Sequence, residues 1–170
     1  TATALTAVLA RDAALGAKAT VTGTPMRPAI LAVAAVTYAA PDPPGALRLL
    51  VVGGSQGARI MADIVPPAIE RLEPALWQRL VLVQQVREED MERVRTVYDR
   101  LKINVELAPF FADLPARLAA THLVVSRSGA GTVAELAAVG RPSILVPLPG
   151  AIDQDQFANA GVLAEAGGAI

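Results

Sequence analysis

Residues 123–135 read Leu-Val-Val-Ser-Arg-Ser-Gly-Ala-Gly-Thr-Val-Ala-Glu, and the rest of the chain is organised around them. The apolar, β-branched run at its start is typical of a strand buried on both faces of a parallel sheet. Residues 126–131 then turn the chain, and from Thr132 the pattern becomes helical until Gly140. A strand, a turn of small residues and a helix N-terminus, in this order, predict a site where backbone N–H groups and the helix dipole face an anion.

Glu135 places a carboxylate one turn into this predicted helix. Acidic residues bind the vicinal diol of ribose in nucleotide-binding folds, which is one interpretation of its position. A carboxylate near a helix N-terminus also complements the helix dipole without binding anything, which is the other. Both interpretations fit this stretch of sequence.

The composition limits the class of protein. The 170 residues are 53% hydrophobic and 4% aromatic, which suits one domain with a core of Ala, Val and Leu. The 15 basic and 16 acidic residues include no dense basic run, which argues against nucleic acid as the main partner. The absence of cysteine excludes disulfides and thiolate metal sites and fits a reducing compartment. No uninterrupted apolar run reaches the ~18 residues expected of a membrane-spanning helix.

Strands and helices alternate from Leu47 onward. This rhythm predicts an α/β fold, with a Rossmann-like, mostly parallel sheet and helices on both of its faces. Pro66-Pro67 lies within a helical pattern and predicts a kink or a break, and Asp113 is expected to cap a short helix. The predicted strands are 47–52, 80–83, 105–107, 123–125 and 143–146, and the predicted helices are 58–72, 88–101, 114–120, 132–139 and 154–166.

A second glycine-rich turn, Gly53-Gly54-Ser55-Gln56-Gly57, also follows a predicted strand and opens a helix. Glycines admit a ligand to the backbone, and a serine adds a hydroxyl donor, as in phosphate cradles. The turn is neither a Gly-x-Gly-x-x-Gly nor a Walker motif. Ligands bind beyond the carboxyl ends of strands in such sheets, so both turns are expected at one edge.

Three motifs together resemble those of the MurG-type family in order and spacing. They are Gly-Gly-Ser-Gln-Gly-Ala-Arg from residue 53, Ser-Arg-Ser-Gly-Ala-x-Thr-x-x-Glu from residue 126, and Asp-x-x-Gln-x-x-Asn-Ala from residue 153. Gly-Thr-Pro-Met-Arg at residues 23–27 is similar to that family's Gly-Asn-Pro-Val-Arg segment at a domain junction. The resemblance covers residues 17–170 and implies one half of a GT-B glycosyltransferase. Enzymes of the MurG-type family move N-acetylglucosamine from UDP-GlcNAc onto lipid I, which gives lipid II.

The resemblance also implies substrate-binding residues. Ser55 would meet the diphosphate, and Phe111 would lie against the uracil. Gln156 would bind the sugar hydroxyls with Asn159 nearby, although Gln154 is an alternative, and Arg27 would approach from the linker. The nucleotide sugar would be wrapped by Ala130, Gly131, Thr132, Val133, Ala134 and Glu135. Gly131 stands where the family commonly has Leu, and Thr24 stands where it has Asn.

The resemblance divides the chain into three parts. Residues 1–22 would be a remnant of an N-terminal acceptor domain, 23–46 an interdomain linker, and 47–170 the UDP-sugar-binding domain, cut before its C-terminal end. The general base and the membrane-contacting patch would belong to the N-terminal domain, so we expect no catalytic residue here and a fragment that transfers nothing by itself. We further expect inversion at the sugar, no cofactor, and no metal. The partners would be UDP-GlcNAc and lipid I, with peripheral contact to the cytoplasmic face of the bacterial inner membrane.

Several alternatives remain open. Asp153-Gln154-Asp155 spells the Asp-x-Asp that binds a divalent metal in another transferase class, although no further oxygen ligands cluster near it in sequence. Arg127 either binds phosphate or pairs across a domain interface, and the single histidine, His122, is expected to be structural. The chain could also be the donor subunit of a split UDP-GlcNAc transferase, or a UDP-sugar-binding module without catalysis.

Overall fold

The structure is a computed structural model that describes residues 23–148 and 155–170, without the side chains of residues 55–58. The expected remnant at residues 1–22 therefore lies outside the described residues. The same holds for Asp153 and Gln154 of the Asp-x-Asp sequence.

The described residues form a five-stranded parallel sheet in the order β3-β2-β1-β4-β5. Beside β5, Ile170 donates to the Ser143 carbonyl at 3.0 Å, and Leu145 donates to the Ile170 carbonyl at 2.8 Å. The predicted parallel α/β fold is confirmed. The strands are β1 Leu47–Val52, β2 Leu80–Gln85, β3 Asn104–Ala108, β4 Leu123–Ser126 and β5 Ser143–Leu145.

Helices cover both faces of this sheet. Because successive side chains of a strand point to opposite faces, Leu49 and Val51 of β1 enter one core and Leu50 and Val52 enter the other. The helices among the described residues are α1 Pro28–Ala34, α2 Gly54–Glu70, α3 Pro74–Trp77, α4 Met91–Arg100, α5 Leu114–Ala120, α6 Ala130–Val139 and α7 Asp155–Glu165, with a 3₁₀ turn at Glu88–Asp90.

Helix α1 lies in the segment expected to be a linker. It packs against α5 and α6, and its Ile30 is fully buried in the second core with Leu50 and Leu136. The predicted division of the chain into domains stays a prediction, but residues 28–34 rest on the body of this domain.

Helix α2 is continuous through Pro66 and Pro67, so it does not break there, and the kink that the sequence offered as the alternative stays a prediction. A proline at position 66 cannot donate to the carbonyl of Ala62 one turn earlier. Arg93 of α4 supplies that missing donor, with Nη1 3.3 Å from the Ala62 oxygen. A neighbouring helix thus replaces a hydrogen bond that local sequence removes.

Two polar residues near α5 satisfy groups within the domain. Asp113 stands at the N-cap position of α5, as predicted, but makes no capping bond, because its carboxylate accepts a 2.7 Å hydrogen bond from Arg117 Nε. His122 accepts a 3.0 Å hydrogen bond from the backbone of Arg48 at its Nδ1. Burial, helped by the charges of Arg48 and Arg141, lowers the pKa of His122, which fits the expected structural role.

Candidate functional site

A cavity of about 580 Å³ opens along the carboxyl ends of the strands. Each of the five strands has a lining residue at or soon after its carboxyl end, as the parallel topology predicts. The five positions at or just after the strand ends are Gly53, Gln85, Pro109, Arg127 and Leu148. We call this cavity the strand-end cleft.

Two helix N-termini meet the strand-end cleft, those of α2 and α6. Their N-cap residues, Gly53 and Gly129, line the cleft and have no side chain to cap the helix. Gly54 has φ +67°, a left-handed conformation that other residues rarely adopt, so the turn before α2 requires a glycine at this position. Neither N-cap glycine takes up a first-turn N–H group, and the two helix dipoles make this part of the cleft favourable for an anion.

Arg127 adds a positive charge to the cleft. Arg127 is 8% exposed, and its Nη2 donates to Gln156 Oε1 at 3.0 Å. Its buried Nε has no hydrogen-bond partner among the described residues. Burial lowers the pKa of the guanidinium. No ion pair of Arg127 with a carboxylate is found within the part of the chain that the structure describes. A buried cation without a counterion favours an anionic ligand beside it.

Glu135 of α6 lines the cleft and is paired with Arg27. The contact is bidentate, with Arg27 Nε 2.8 Å from Oε1 and Nη2 2.9 Å from Oε2 of Glu135. The Glu135 side chain is 18% exposed and that of Arg27 is 56% exposed. The ion pair thereby joins the segment before α1 to the first turns of α6. Arg27 also fixes the orientation of the Glu135 carboxylate beside the cleft.

Gln156, at the start of α7, also lines the strand-end cleft. Its Oε1 accepts from Arg127 and also from the backbone of Leu148, at 3.1 Å. Asn159 is buried and donates to the Ser128 carbonyl at 3.2 Å, so its amide supports the turn before α6. The amide of Gln156 therefore borders the cleft, whereas that of Asn159 lies behind it.

The remaining predicted residues divide by position. Phe111 and Thr132 line the cleft, and the Phe111 ring lies 4.4 Å from the Arg117 guanidinium. Within α6, Ala130 and Val133 are buried, Ala134 is half-buried and Gly131 is exposed. The Ser55 side chain is outside the described part, but its backbone lies in the first turn of α2.

Sequence reasoning missed Gln85 and Phe110, which both line the cleft. Gln85 accepts from the N–H groups of Gly53 and Gly54 and donates to the Pro109 carbonyl. The signal in the sequence is the polar pair Gln84-Gln85, directly after the apolar run that predicts a strand at residues 80–83. Phe110 is 73% exposed, and an aromatic residue after a predicted strand was its signal.

Within residues 23–148 and 155–170, no group of three His, Cys, Asp or Glu side chains could hold a metal ion. Asp155 Oδ1 accepts from the backbone N–H of Gln156 at 2.9 Å. No helix in the same ranges is both long and apolar enough to cross a bilayer.

Known proteins are similar to this chain in sequence and in architecture. Residues 48–170 match the family described as "Glycosyltransferase family 28 C-terminal domain". The chain belongs to this family. The resemblance to MurG-type transferases is thereby confirmed, and the family consists of glycosyltransferases.

Individual relatives agree with this assignment. A protein of Rhodopseudomonas palustris (strain BisA53) is 80% identical over 99% of this chain, and one of Bradyrhizobium diazoefficiens is 79% identical over 99%. Both are named "UDP-N-acetylglucosamine--N-acetylmuramyl-(pentapeptide) pyrophosphoryl-undecaprenol N-acetylglucosamine transferase". The chain covers 45% and 46% of these proteins, so it spans about half their length.

A solved structure shows the same architecture. The crystal structure of Acinetobacter baumannii MurG matches with a TM-score of 0.65 and 35% identity, over 73% of this chain and 37% of that one. The predicted fold class, one Rossmann-like half of a GT-B enzyme, is confirmed by this likeness and by the parallel sheet.

Proposed function

We propose that this chain is the donor-binding part of a transferase that moves N-acetylglucosamine from UDP-GlcNAc to lipid I, forming lipid II. The observation that carries the proposal is the convergence in one cleft of Arg127, Glu135, Gln156 and two helix N-termini whose N-cap residue is glycine. A UDP-sugar needs a diphosphate cradle, a diol acceptor and amides for its sugar hydroxyls. This cleft offers each of them.

Each group of the donor has a candidate partner. The diphosphate would lie at the N-termini of α2 and α6, with the Ser55 hydroxyl and the Arg127 guanidinium supplying charge and donors. The ribose would meet Glu135, whose carboxylate Arg27 already orients. The uracil would lie against Phe111, and the GlcNAc hydroxyls would meet Gln156.

The mechanism assigns this half an electrostatic role. The C4 hydroxyl of N-acetylmuramic acid would attack the anomeric carbon with inversion, and UDP would leave with its negative charge. Preoriented N–H dipoles and Arg127 would stabilise that charge in place of a divalent metal. The general base and the membrane-contacting patch would lie on an N-terminal domain, at the cytoplasmic face of the membrane, so this chain alone would bind the donor and transfer nothing.

Replacing Glu135 with Gln tests the ribose assignment. The substitution keeps size and helix propensity but removes the charge from a hydrogen bond worth about 1.5–3 kcal/mol. We expect UDP affinity, measured by calorimetry without added metal, to fall about tenfold to a hundredfold at ~1.4 kcal/mol per decade. Affinity for 2′,3′-dideoxy-UDP should hardly change, because that ligand lacks the partner hydroxyls.

Glu70→Gln is the matched control. It also removes a Glu–Arg ion pair, Glu70–Arg100 at 2.7 Å, but at the far end of α2. That end is about 24 Å from the cleft at ~1.5 Å per residue, so UDP affinity should be unchanged. Equal UDP affinity of the wild type and Glu135→Gln would remove the ribose assignment and leave Glu135 as a dipole partner. Loss of UDP binding on adding EDTA would overturn the metal-independent role.

A further inference from the structure

Gln85 ends β2 inside the strand-end cleft and uses both ends of its amide. Its Oε1 accepts from the Gly53 N–H at 3.2 Å and from the Gly54 N–H at 3.1 Å. Its Nε2 donates to the Pro109 carbonyl at 3.1 Å. One planar amide thus joins the turn after β1 to the turn after β3.

At the first of these turns, Gln85 replaces a missing cap. A helix leaves its first N–H groups without internal partners, and a Ser, Thr, Asp or Asn at the N-cap often satisfies one of them. Gly53 has no such side chain, so the neighbouring strand supplies the acceptor. Gln85 takes the N–H groups of residues 53 and 54, which are two of the four that a helix N-terminus leaves without an internal partner.

At the second turn, Gln85 holds the carbonyl directly before Phe110 and Phe111. The neighbouring backbone is fixed as well, since Val86 donates to the Ala108 carbonyl at 3.0 Å and Gln85 pairs with Ala108 in the sheet register. The Pro109 carbonyl extends this pairing through a side chain. The spacing between the two turns is therefore set by the length of one amide.

We propose that Gln85 is a positioning residue that fixes the distance between the diphosphate-binding turn and the base-binding turn. This inference rests on the proposed function, in which the α2 turn meets the diphosphate and the Phe110-Phe111 turn meets the uracil. In this role Gln85 acts through the two turns that it joins and not through a contact with the nucleotide. It makes the two subsites bind as one, so that a base and a diphosphate joined by ribose bind more tightly than their separate affinities allow.

The proposal predicts a different effect on UDP, which spans both turns, than on uridine or pyrophosphate, each of which meets only one turn. Joining two binding groups raises affinity by ~10²–10⁴ when geometry permits simultaneous binding, and this gain is lost when the spacing is wrong. In Gln85→Met, which keeps the side-chain length but removes both hydrogen-bonding ends, we expect UDP affinity to fall by about tenfold. Affinities for uridine alone and for inorganic pyrophosphate alone should each change by less than about twofold, because each turn remains.

The adjacent residue provides the matched control. Gln84 points to the other face of β2, where it is buried and bonded to Tyr98 and to the Met61 carbonyl. Gln84→Met should lower the stability to urea while leaving UDP affinity within about twofold of the wild type. This control shows that a loss of affinity in Gln85→Met does not come from a less stable domain.

The outcomes are separable. UDP binding by the wild-type chain, measured by calorimetry, tests the proposed function. The difference between Gln85→Met and Gln84→Met tests Gln85. If pyrophosphate affinity falls as much as UDP affinity, Gln85 is only a cap of α2, and if uridine affinity falls as much, Gln85 contacts the base. Unchanged affinity for all three ligands gives Gln85 no role, and each of these results overturns the proposal.

Discussion

Tyr98 shows what one buried hydroxyl contributes. Its side chain is fully buried on α4, and the hydroxyl donates to Gln84 Oε1 at 2.5 Å. Tyr98→Phe removes the donor and leaves the buried amide oxygen unsatisfied, so we expect a loss of about 1–3 kcal/mol in unfolding free energy. Urea unfolding at neutral pH measures it. Tyr38→Phe is the control, because Tyr38 is exposed and its hydroxyl donates only a 3.3 Å hydrogen bond to the His122 carbonyl, so the change should stay within about 0.5 kcal/mol.

The same hydroxyl predicts a pH dependence. Burial raises the pKa of Tyr98 well above its ordinary value of 10.0, so the folded state keeps the proton while the unfolded chain loses it. The contribution is therefore complete below about pH 10 and is lost as pH rises above it, by up to ~1.4 kcal/mol per pH unit. Above pH 10, the stability of the wild type should fall more steeply than that of Tyr98→Phe. Parallel curves for the two proteins would contradict the role of burial.

At the scale of elements, the prolines of α2 depend on α4. Arg93 donates to the Ala62 carbonyl that Pro66 leaves free, and it also bonds Asp63 at 2.7 Å. Pro66→Ala restores the N–H donor, so Arg93→Met should cost less in that background. A double-mutant cycle by urea unfolding should give a coupling of about 0.5–1.5 kcal/mol.

Arg100 provides the control for this cycle. It joins the same two helices through Glu70 at 2.7 Å, and no hydrogen bond from it to a carbonyl of α2 occurs among the described residues. Arg100→Met should therefore be additive with Pro66→Ala. Equal coupling of both arginines with Pro66→Ala would mean that the Ala62 carbonyl is not what Arg93 compensates.

The elements also show which features local sequence encodes. The buried strand at residues 123–125 and the glycine turn at residue 53 were predicted, because an apolar run and a glycine-rich turn are patterns of neighbouring residues in the chain. The continuity of α2 was not, because the Arg93 bond joins residues 31 positions apart. Gln85 was missed for the same reason, since its partners lie on two other strand ends. Glu135 was found as a candidate, but its pairing with Arg27 spans 108 positions and required the fold.

At the scale of the whole molecule, the question is whether α1 unfolds with the sheet. Residues 23–46 read as a linker because prolines surround a short apolar run, yet Ile30 is completely buried against α5, α6 and β1. If α1 belongs to the same cooperative unit, Ile30→Ala should lower the global unfolding free energy by about 2–5 kcal/mol, as in other cores. Leu31, the next residue of α1, is 58% exposed, so Leu31→Ala is the matched control with an expected change within about 0.5 kcal/mol.

Hydrogen exchange distinguishes opening of α1 together with the sheet from opening of α1 alone. If the two form one unit, the amides of α1 and β1 become less protected together in Ile30→Ala. Faster exchange confined to residues 28–34, with an unchanged urea midpoint, would show instead that α1 opens separately and acts as the linker that its sequence suggests.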